Sequence, residues 1–508
     1  MFSSGRLSPS LHIGVIAAAA CTLALSAQQQ PLPAATELLQ AGDVLMAGSH
    51  YGDALRVYRR ARETDDANVR VRAGAGVVKS LLRLGLFKDG AKEGADIAAR
   101  DPQNAAAVSI HADSLWAFGL FFDAEARYAD ALKINPQDPG ALHGRGRSLA
   151  AQRRFDEAMA DVTRAISLNP TEPNYQYTLA SIYEQTHKFT DASNALLKYV
   201  ELLPKRDDTD LVKWAKTQSK FLATFKNKIP LEIVSKAETY TMPFRVSEGR
   251  VLVTGRVNGG PAIELAVDTG ADQAVLSTEV ASRNHVQAFA ALQSAGIGDL
   301  GIGYRSLQIA RMDDLEIGAL HVRNVPCLIK DPPIKSQLAR EGEGFSPLVF
   351  GLSVSLDYVN HTLTMARELP NEPADFTLPL RVQRLAVVRG MVNGSSPAGF
   401  VVDTGGEAMS ISRTVAAQLP VDPEVRRVPV RVYGTSGWDR AAFLLPFVDI
   451  EFAKGAQFQQ ASVVVLNLDA PSALLGFNIG GIVGHQFLGR YKVSIDLLRH
   501  EMRLQSPK

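Results

Sequence analysis

The sequence predicts a multidomain chain: an all-α repeat solenoid followed by an all-β unit of two matching lobes. Three observations carry that reading. Pro102, Pro136, Pro170 and Pro204 recur at a step of 34 residues (136 − 102). Between Ile229-Pro230 and Met242-Pro243 the helical periodicity gives way to short β-rich runs punctuated by Gly and Pro. Asp-Thr-Gly then occurs twice, at residues 268–270 and 403–405, 135 positions apart (403 − 268), each at the end of an apolar run.

At 508 residues the chain has room for about two to four domains of ordinary size. A net charge of +1 and 21% charged residues give no reason to expect nucleic acid or an anionic membrane surface as partner. The N-terminus stands apart. Arg6 precedes an apolar stretch from Leu11 to Ala27, and Gln28-Gln29-Gln30 opens a polar segment. This pattern is that of a signal peptide over residues 1–27, so the protein is expected to be exported, to a periplasm in a bacterial cell. Ala18-Ala19-Ala20-Cys21 offers a second reading, a lipoprotein site acylated at Cys21, which the apolar Leu23-Ala24-Leu25 after the cysteine disfavours. No later segment is long and apolar enough to span a bilayer. Beyond residue 27 only Cys327 remains, which excludes a disulfide framework and a cysteine-rich zinc site.

The 34-residue step is carried by more than the prolines. Ala124, Ala158 and Ala192 keep it, as do Ala112, Gly146 and Ala180, and again Leu115, Leu149 and Tyr183. Small residues at fixed places let paired helices approach closely, and a proline ends a helix that it cannot continue. The segment resembles a tetratricopeptide-repeat array: three regular repeats from Ala105 to Pro204, a degenerate one over Val71 to Pro102, and an earlier trace at Tyr51-Gly52-Asp53-Ala54-Leu55. Asp208 to Phe225, with Trp214, reads as a capping helix. The domain is expected to occupy residues 35–227, with Trp116, Tyr128, Phe155 and Phe189 as packing residues. Its concave face is the expected place for a protein partner, whose identity nothing in the sequence specifies.

After a linker at 228–243, two segments overlay. Val251-Leu252-Val253-Thr254-Gly255-Arg256-Val257-Asn258-Gly259 matches Ala386-Val387-Val388-Arg389-Gly390-Met391-Val392-Asn393-Gly394, and each feeds its own Asp-Thr-Gly. Each half also ends alike: Leu348-Val349-Phe350-Gly351 with Ser355-Leu356-Asp357 parallels Gly481-Ile482-Val483-Gly484 with Val493-Ser494-Ile495-Asp496. The lobes are expected at 244–367 and 377–505.

Two matching lobes that each deliver a carboxylate suit one chemistry. Water held between two carboxylates sharing a proton attacks a peptide bond with no covalent intermediate; like charges about 3 Å apart cannot both ionise, so one is base and the other acid. On that reading Asp268 and Asp403 are the dyad. The hydroxyls of Thr269 and Thr404 bond across to the partner loop, and Gly270 and Gly405 permit an approach that a Cβ would block.

Through these residues the chain resembles the aspartic proteases, the retropepsin-like branch above all. Asp268-Thr269-Gly270-Ala271-Asp272 has that branch's form, and Phe350-Gly351 and Val483-Gly484 resemble its apolar-apolar-Gly element. The resemblance covers about Phe244 to Gln505 and implies an aspartic-protease-like barrel pair, a peptide or protein substrate, and no cofactor or metal. It also implies a glycine-rich flap: Gly296, Ile297, Gly298, Gly301 and Gly303 in lobe one, and Gly434, Gly437 and Trp438 in lobe two. One departure is Gly406-Glu407, where lobe one has Ala271-Asp272. Whether the lobes pair within one chain or between two is left open, as is the oligomeric state. The competing class is a peptide-binding scaffold on the same fold that does not hydrolyse.

Other motifs carry less. Gly296 to Gly301 spells G-x-G-x-x-G, but Arg305 to Ala310 alternates as a strand where a dinucleotide site needs a helix. His485 has no His-Glu-x-x-His or Gly-x-Ser-x-Gly partner motif and is expected to be structural. Asp357 and Asp496 are expected in strand pairing or salt bridges.

Overall fold

The computed structural model describes residues 34–203, 210–295, 304–330, 343–420, 427–434 and 437–507. Eleven helices open it: α1 (Ala35–Ala47), α2 (Tyr51–Ala61), α3 (Ala67–Arg83), α4 (Phe87–Arg100), α5 (Ala105–Ala117), α6 (Phe121–Ile134), α7 (Pro139–Ala151), α8 (Phe155–Leu168), α9 (Pro173–Gln185), α10 (Phe189–Leu202) and α11 (Asp210–Ala223). Their starts are written in the sequence. The side chains of Asp66, Asn104 and Asp138 accept hydrogen bonds from backbone N–H groups of the first turns of α3, α5 and α7, and Pro139 and Pro173 sit where a missing N–H costs nothing. The small residues at the 34-residue step lie where helices touch. Ala112, Ala124, Ala158 and Ala192 are fully buried, and a Cβ at Gly146 would stand 2.6 Å from Val162. Trp116, Tyr128 and Phe189 are buried.

The β region contains two closed six-stranded barrels. In lobe one Arg250–Val257 pairs Tyr304–Ile317, which pairs Leu320–Ile329; Ala274–Leu276, Glu343–Phe345 and Ile263–Val267 complete the ring back to Arg250–Val257. Lobe two repeats the ring with Leu385–Val392, Phe443–Ala453, Ala456–Leu466, Ser410–Ser412, Gly481–Val483 and Ser396–Val402. Strand alternation explains the first member of each: Val251, Val253 and Val257 are buried while Thr254 and Arg256 face out. A further sheet joins the lobes. Ser353–Asp357 of lobe one pairs Lys492–Asp496 of lobe two, flanked by Thr362–Ala366 on one side and Glu501–Gln505 then Phe376–Gln383 on the other. At its edge Thr239–Pro243 pairs Thr362–Ala366. Part of the stretch expected as a linker is thus a strand, because Tyr240 and Met242 alternate inward into the core. At the centre of this sheet Asp496 is held by Arg499 and Arg503, and Asp357 accepts the N–H groups of Val359 and Asn360 in its turn.

The solenoid packs on both lobes. Towards lobe two, Arg381 makes a two-pronged contact with Glu125 at 2.6 and 2.7 Å while lying over the Phe122 ring, and Asn478 donates its N–H to the Ala117 carbonyl. Phe121 lies between Trp116, tilted against it, and Phe477, edge-on to it, ring centres 4.5 and 5.0 Å away. Towards lobe one, Phe221 meets Phe289 and Arg311 lies over Phe225. One apolar core runs from α9 to α11 through both lobes. Phe121→Ala is therefore expected to lower stability by about 3–5 kcal/mol, the cost of emptying a buried aromatic site. Denaturant unfolding followed by both helical and β signals checks it, and a loss below about 1 kcal/mol would mean that this seam does not hold the two regions together.

Candidate active site

Each Asp-Thr-Gly lies just past a barrel strand, Ile263–Val267 in lobe one and Ser396–Val402 in lobe two. The neighbouring parallel strand pins the start of each loop: the Asp268 N–H donates to the Phe345 carbonyl at 2.9 Å, and the Asp403 N–H to the Val483 carbonyl at 3.0 Å. The lobe-one counterpart of Gly481–Val483 is therefore Glu343–Phe345. The sequence match of Leu348–Gly351 to Gly481–Gly484 was displaced, since Pro347–Phe350 is a short 3-10 turn that corresponds to the helical turn His485–Leu488. A three-residue strand carries too little alternation to fix its place in the sequence.

The two loops exchange side chains. Thr269 Oγ1 donates to the Val402 carbonyl at 2.7 Å and accepts the Thr404 N–H at 3.1 Å. Thr404 Oγ1 donates to the Val267 carbonyl at 2.6 Å and accepts the Thr269 N–H at 3.1 Å. Both threonines are buried, at 1% and 0% exposure. All four bonds join lobe to lobe within one chain. The glycines follow from this approach: a Cβ on Gly270 would stand 2.5 Å from the Asp403 carboxyl carbon, and one on Gly405 2.6 Å from that of Asp268.

Asp268 and Asp403 are hydrogen-bonded to each other and partly exposed at the meeting of the lobes. Asp268 Oδ1 accepts the Gly270 N–H; Asp403 Oδ1 accepts those of Gly405 and Gly406. Burial pushes both pKa values above the usual carboxylate range. Asp403 is raised the more, because it also faces the charge of Asp268, whereas Lys330 favours the ionised form of Asp268. Two carboxyls that face each other in this way titrate as a pair, and ionising both at once is costly.

The structure adds partners that sequence reading missed. Asp272 forms an ion pair with Arg384 of lobe two. At the matching positions of the opposite lobes, Glu407 faces Gly249, where a Cβ would stand 2.9 Å from the Glu407 side chain. Arg384 and Gly249 both have positive φ, 62° and 71°. The Arg384 contact had a findable signal, since Gly249 and Arg384 lie at the same 135-residue offset as the triplets. Ser277 and Ser412, in the apolar-serine stretches that follow, cap matching short helices.

The lobe-one flap residues Gly296, Ile297, Gly298, Gly301 and Gly303 lie outside the described residues; the strands on either side, Ala288–Ala295 and Tyr304–Ile317, pair as a hairpin up to Ala295 and Tyr304. In lobe two, Gly434 pairs Gly437 and Tyr433 pairs Trp438 in a small separate hairpin. His485 packs edge-on to Tyr358. Among the described residues Asp314, Glu316 and His321 form a group of metal-capable side chains, in which the His321 ring already bonds Asp314.

Both lobes match aspartyl protease family models. Residues 253–354 match the aspartyl protease model, residues 388–479 the gag-polyprotein aspartyl protease model, and residues 111–173 a tetratricopeptide-repeat model. No curated protein sequence matches the chain. Among solved structures, a thermophilic tetratricopeptide-repeat protein of Thermus thermophilus is 23% identical over 36% of this chain and 98% of its own, with a TM-score of 0.31. YrrB, described as a tetratricopeptide-repeat protein with an unusual peptide-binding site, is 20% identical over 36% of this chain and 91% of its own, with a TM-score of 0.22. The chain thus carries tetratricopeptide repeats followed by two aspartyl-protease-like lobes. No helix among the described residues is long and apolar enough to cross a membrane.

Thr404→Val keeps the side-chain shape and strands two buried backbone groups, the Thr269 N–H and the Val267 carbonyl. A loss of about 2–4 kcal/mol is expected on denaturant unfolding. An unchanged midpoint would show that the reciprocal bonds are not made in solution.

Proposed function

We propose that this protein is an exported aspartic endopeptidase in which the tetratricopeptide array recruits or orients a protein substrate. The observation that carries the reading is the hydrogen-bonded pair Asp268–Asp403 on loops locked by Thr269 and Thr404. Ionised Asp268 takes a proton from a water held between the carboxyls as that water attacks the scissile carbonyl. Asp403 gives its proton to the carbonyl oxygen; the tetrahedral diol then collapses with cleavage of the C–N bond as Asp268 passes its proton to the leaving nitrogen and a diol hydroxyl returns a proton to Asp403. The chemistry needs neither metal nor cofactor. The glycine-rich segments of the two lobes, flanked by the paired strands Ala288–Ala295 with Tyr304–Ile317 and Val432–Gly434 with Gly437–Asp439, are the ones to cover an extended peptide and hold its main chain. Export rests on the Leu11–Ala27 segment.

The test is cleavage of a mixed peptide library from acidic to neutral pH. Asp268→Asn and Asp403→Asn are each expected to abolish cleavage. No cleavage by the unaltered protein at any pH would favour the scaffold reading. Stability supplies a control whose sign is fixed. A carboxyl raised in the folded state holds a proton that the unfolded chain has released, so its contribution to stability falls as pH rises above the unfolded value. Asp403→Asn is expected to be at least as stable as the parent at neutral pH, which separates lost chemistry from lost fold.

Lys330→Met removes the cation that favours charge on Asp268. Both limbs of the bell-shaped kcat/KM profile should then move to higher pH, because each deprotonation of the pair becomes harder. A profile that stays in place would remove Lys330 from the electrostatics of the site.

A further inference from the structure

A cavity of about 150 Å³ lies where the solenoid meets both lobes. Its apolar wall is formed by Tyr177, Phe189, Trp214, Leu222 and Leu348. That volume takes a body about the size of a benzene ring.

The polar groups are unusual for a seam between domains. Gln218 is 3% exposed, and its Nε2 donates to Glu184 while its Oε1 has no partner among the described residues. Gln273 Oε1, also on the wall, is likewise buried and unpartnered. A buried amide oxygen without a donor costs about 1–3 kcal/mol, so two on one cavity point to a donor that completes them. Glu184, pushed up to about 7 by burial, adds a third oxygen beside Gln218. Asp272 is taken up by Arg384 and leaves the wall's charge there balanced.

A second group of residues on the wall carries the opposite chemistry. Arg153, at a positive φ of 55°, is stacked over Phe155, and its Nη2 would be 3.7 Å from a Cβ on Gly351. Burial pulls its pKa down, and among the described residues it forms no ion pair with a carboxylate. Beside it His187 is held neutral by burial and by the Arg153 charge. The planar guanidinium of a partly buried arginine suits the two oxygens of a carboxylate.

We propose that this cavity binds an apolar α-carboxylate bearing an N–H donor: a hydrophobic amino acid or the C-terminal residue of a peptide. The carboxylate pairs with Arg153, the N–H bonds Gln218 or Gln273, and the side chain fills the apolar wall. The site is separate from the dyad and its binding is read without any hydrolysis, so failure here and failure of the peptidase reading are distinguishable.

The test titrates the purified full-length protein with L-phenylalanine, N-acetyl-L-phenylalanine and L-phenylalanine amide, followed by calorimetry and by thermal shift. One or both carboxylates are expected to bind and raise the unfolding temperature, and the amide to bind about tenfold or more weakly. Arg153→Gln should erase that preference, and Gln218→Leu should weaken the carboxylates without erasing it. Binding of the N-acetyl compound alone identifies a peptide C-terminus, and binding of phenylalanine alone a free amino acid. No binding of either carboxylate, or equal binding of carboxylate and amide, overturns the proposal. Should either variant fail to fold, the carboxylate–amide comparison on the unaltered protein still decides it.

Discussion

The reciprocal pair Thr269–Thr404 is the constraint on which the rest of the site rests. Its four bonds are buried, and each runs from one lobe to the backbone of the other. They set the separation of the two loops, and that separation explains the remaining residue choices. Gly270 and Gly405 face the opposite carboxyls at distances that no side chain tolerates, and the two aspartates come close enough to bond each other. At that spacing burial and mutual repulsion make the doubly ionised pair costly.

Fixing two loops to a few tenths of an ångström requires that the barrels behind them not rock. Two further connections serve that end. The sheet through Ser353–Asp357 and Lys492–Asp496 makes the lobes continuous along their backbones. The solenoid then grips lobe two through Phe121, Glu125 and Ala117, and lobe one through Phe221 and Phe225. The repeat array is therefore part of the frame of the β region as well as an appendage to it, and part of its surface is spent on this contact.

Legibility in the sequence followed the strength of the local signal. The repeats were visible because small residues and prolines return at fixed steps, and helix contacts enforce those steps. The dyad loops were visible because every letter of Asp-Thr-Gly has a geometric task and the triplet appears twice. The strand Glu343–Phe345 was missed: it is three residues long, and its role comes from pairing with Leu265–Val267 rather than from its composition. The Asp272–Arg384 pair and the influence of Lys330 on Asp268 are products of tertiary placement, and a charge on a strand end looks the same whether or not an opposite charge folds against it. The edge strand Thr239–Pro243 fell in a stretch whose prolines at 230 and 243 suggested a connection, although Pro243 terminates a strand at a sheet edge, where proline is tolerated.

The ion pair Asp272–Arg384 on one flank and the contact of Glu407 with Gly249 on the other make the two ends of the cleft chemically unlike. In an assembly of identical halves a substitution appears at both ends together. Joining the halves in one polypeptide removes that coupling, and each end is free to drift by itself. Halves that have diverged in this way have no exact twofold axis between them, so the two flanks of the aspartate pair differ in charge.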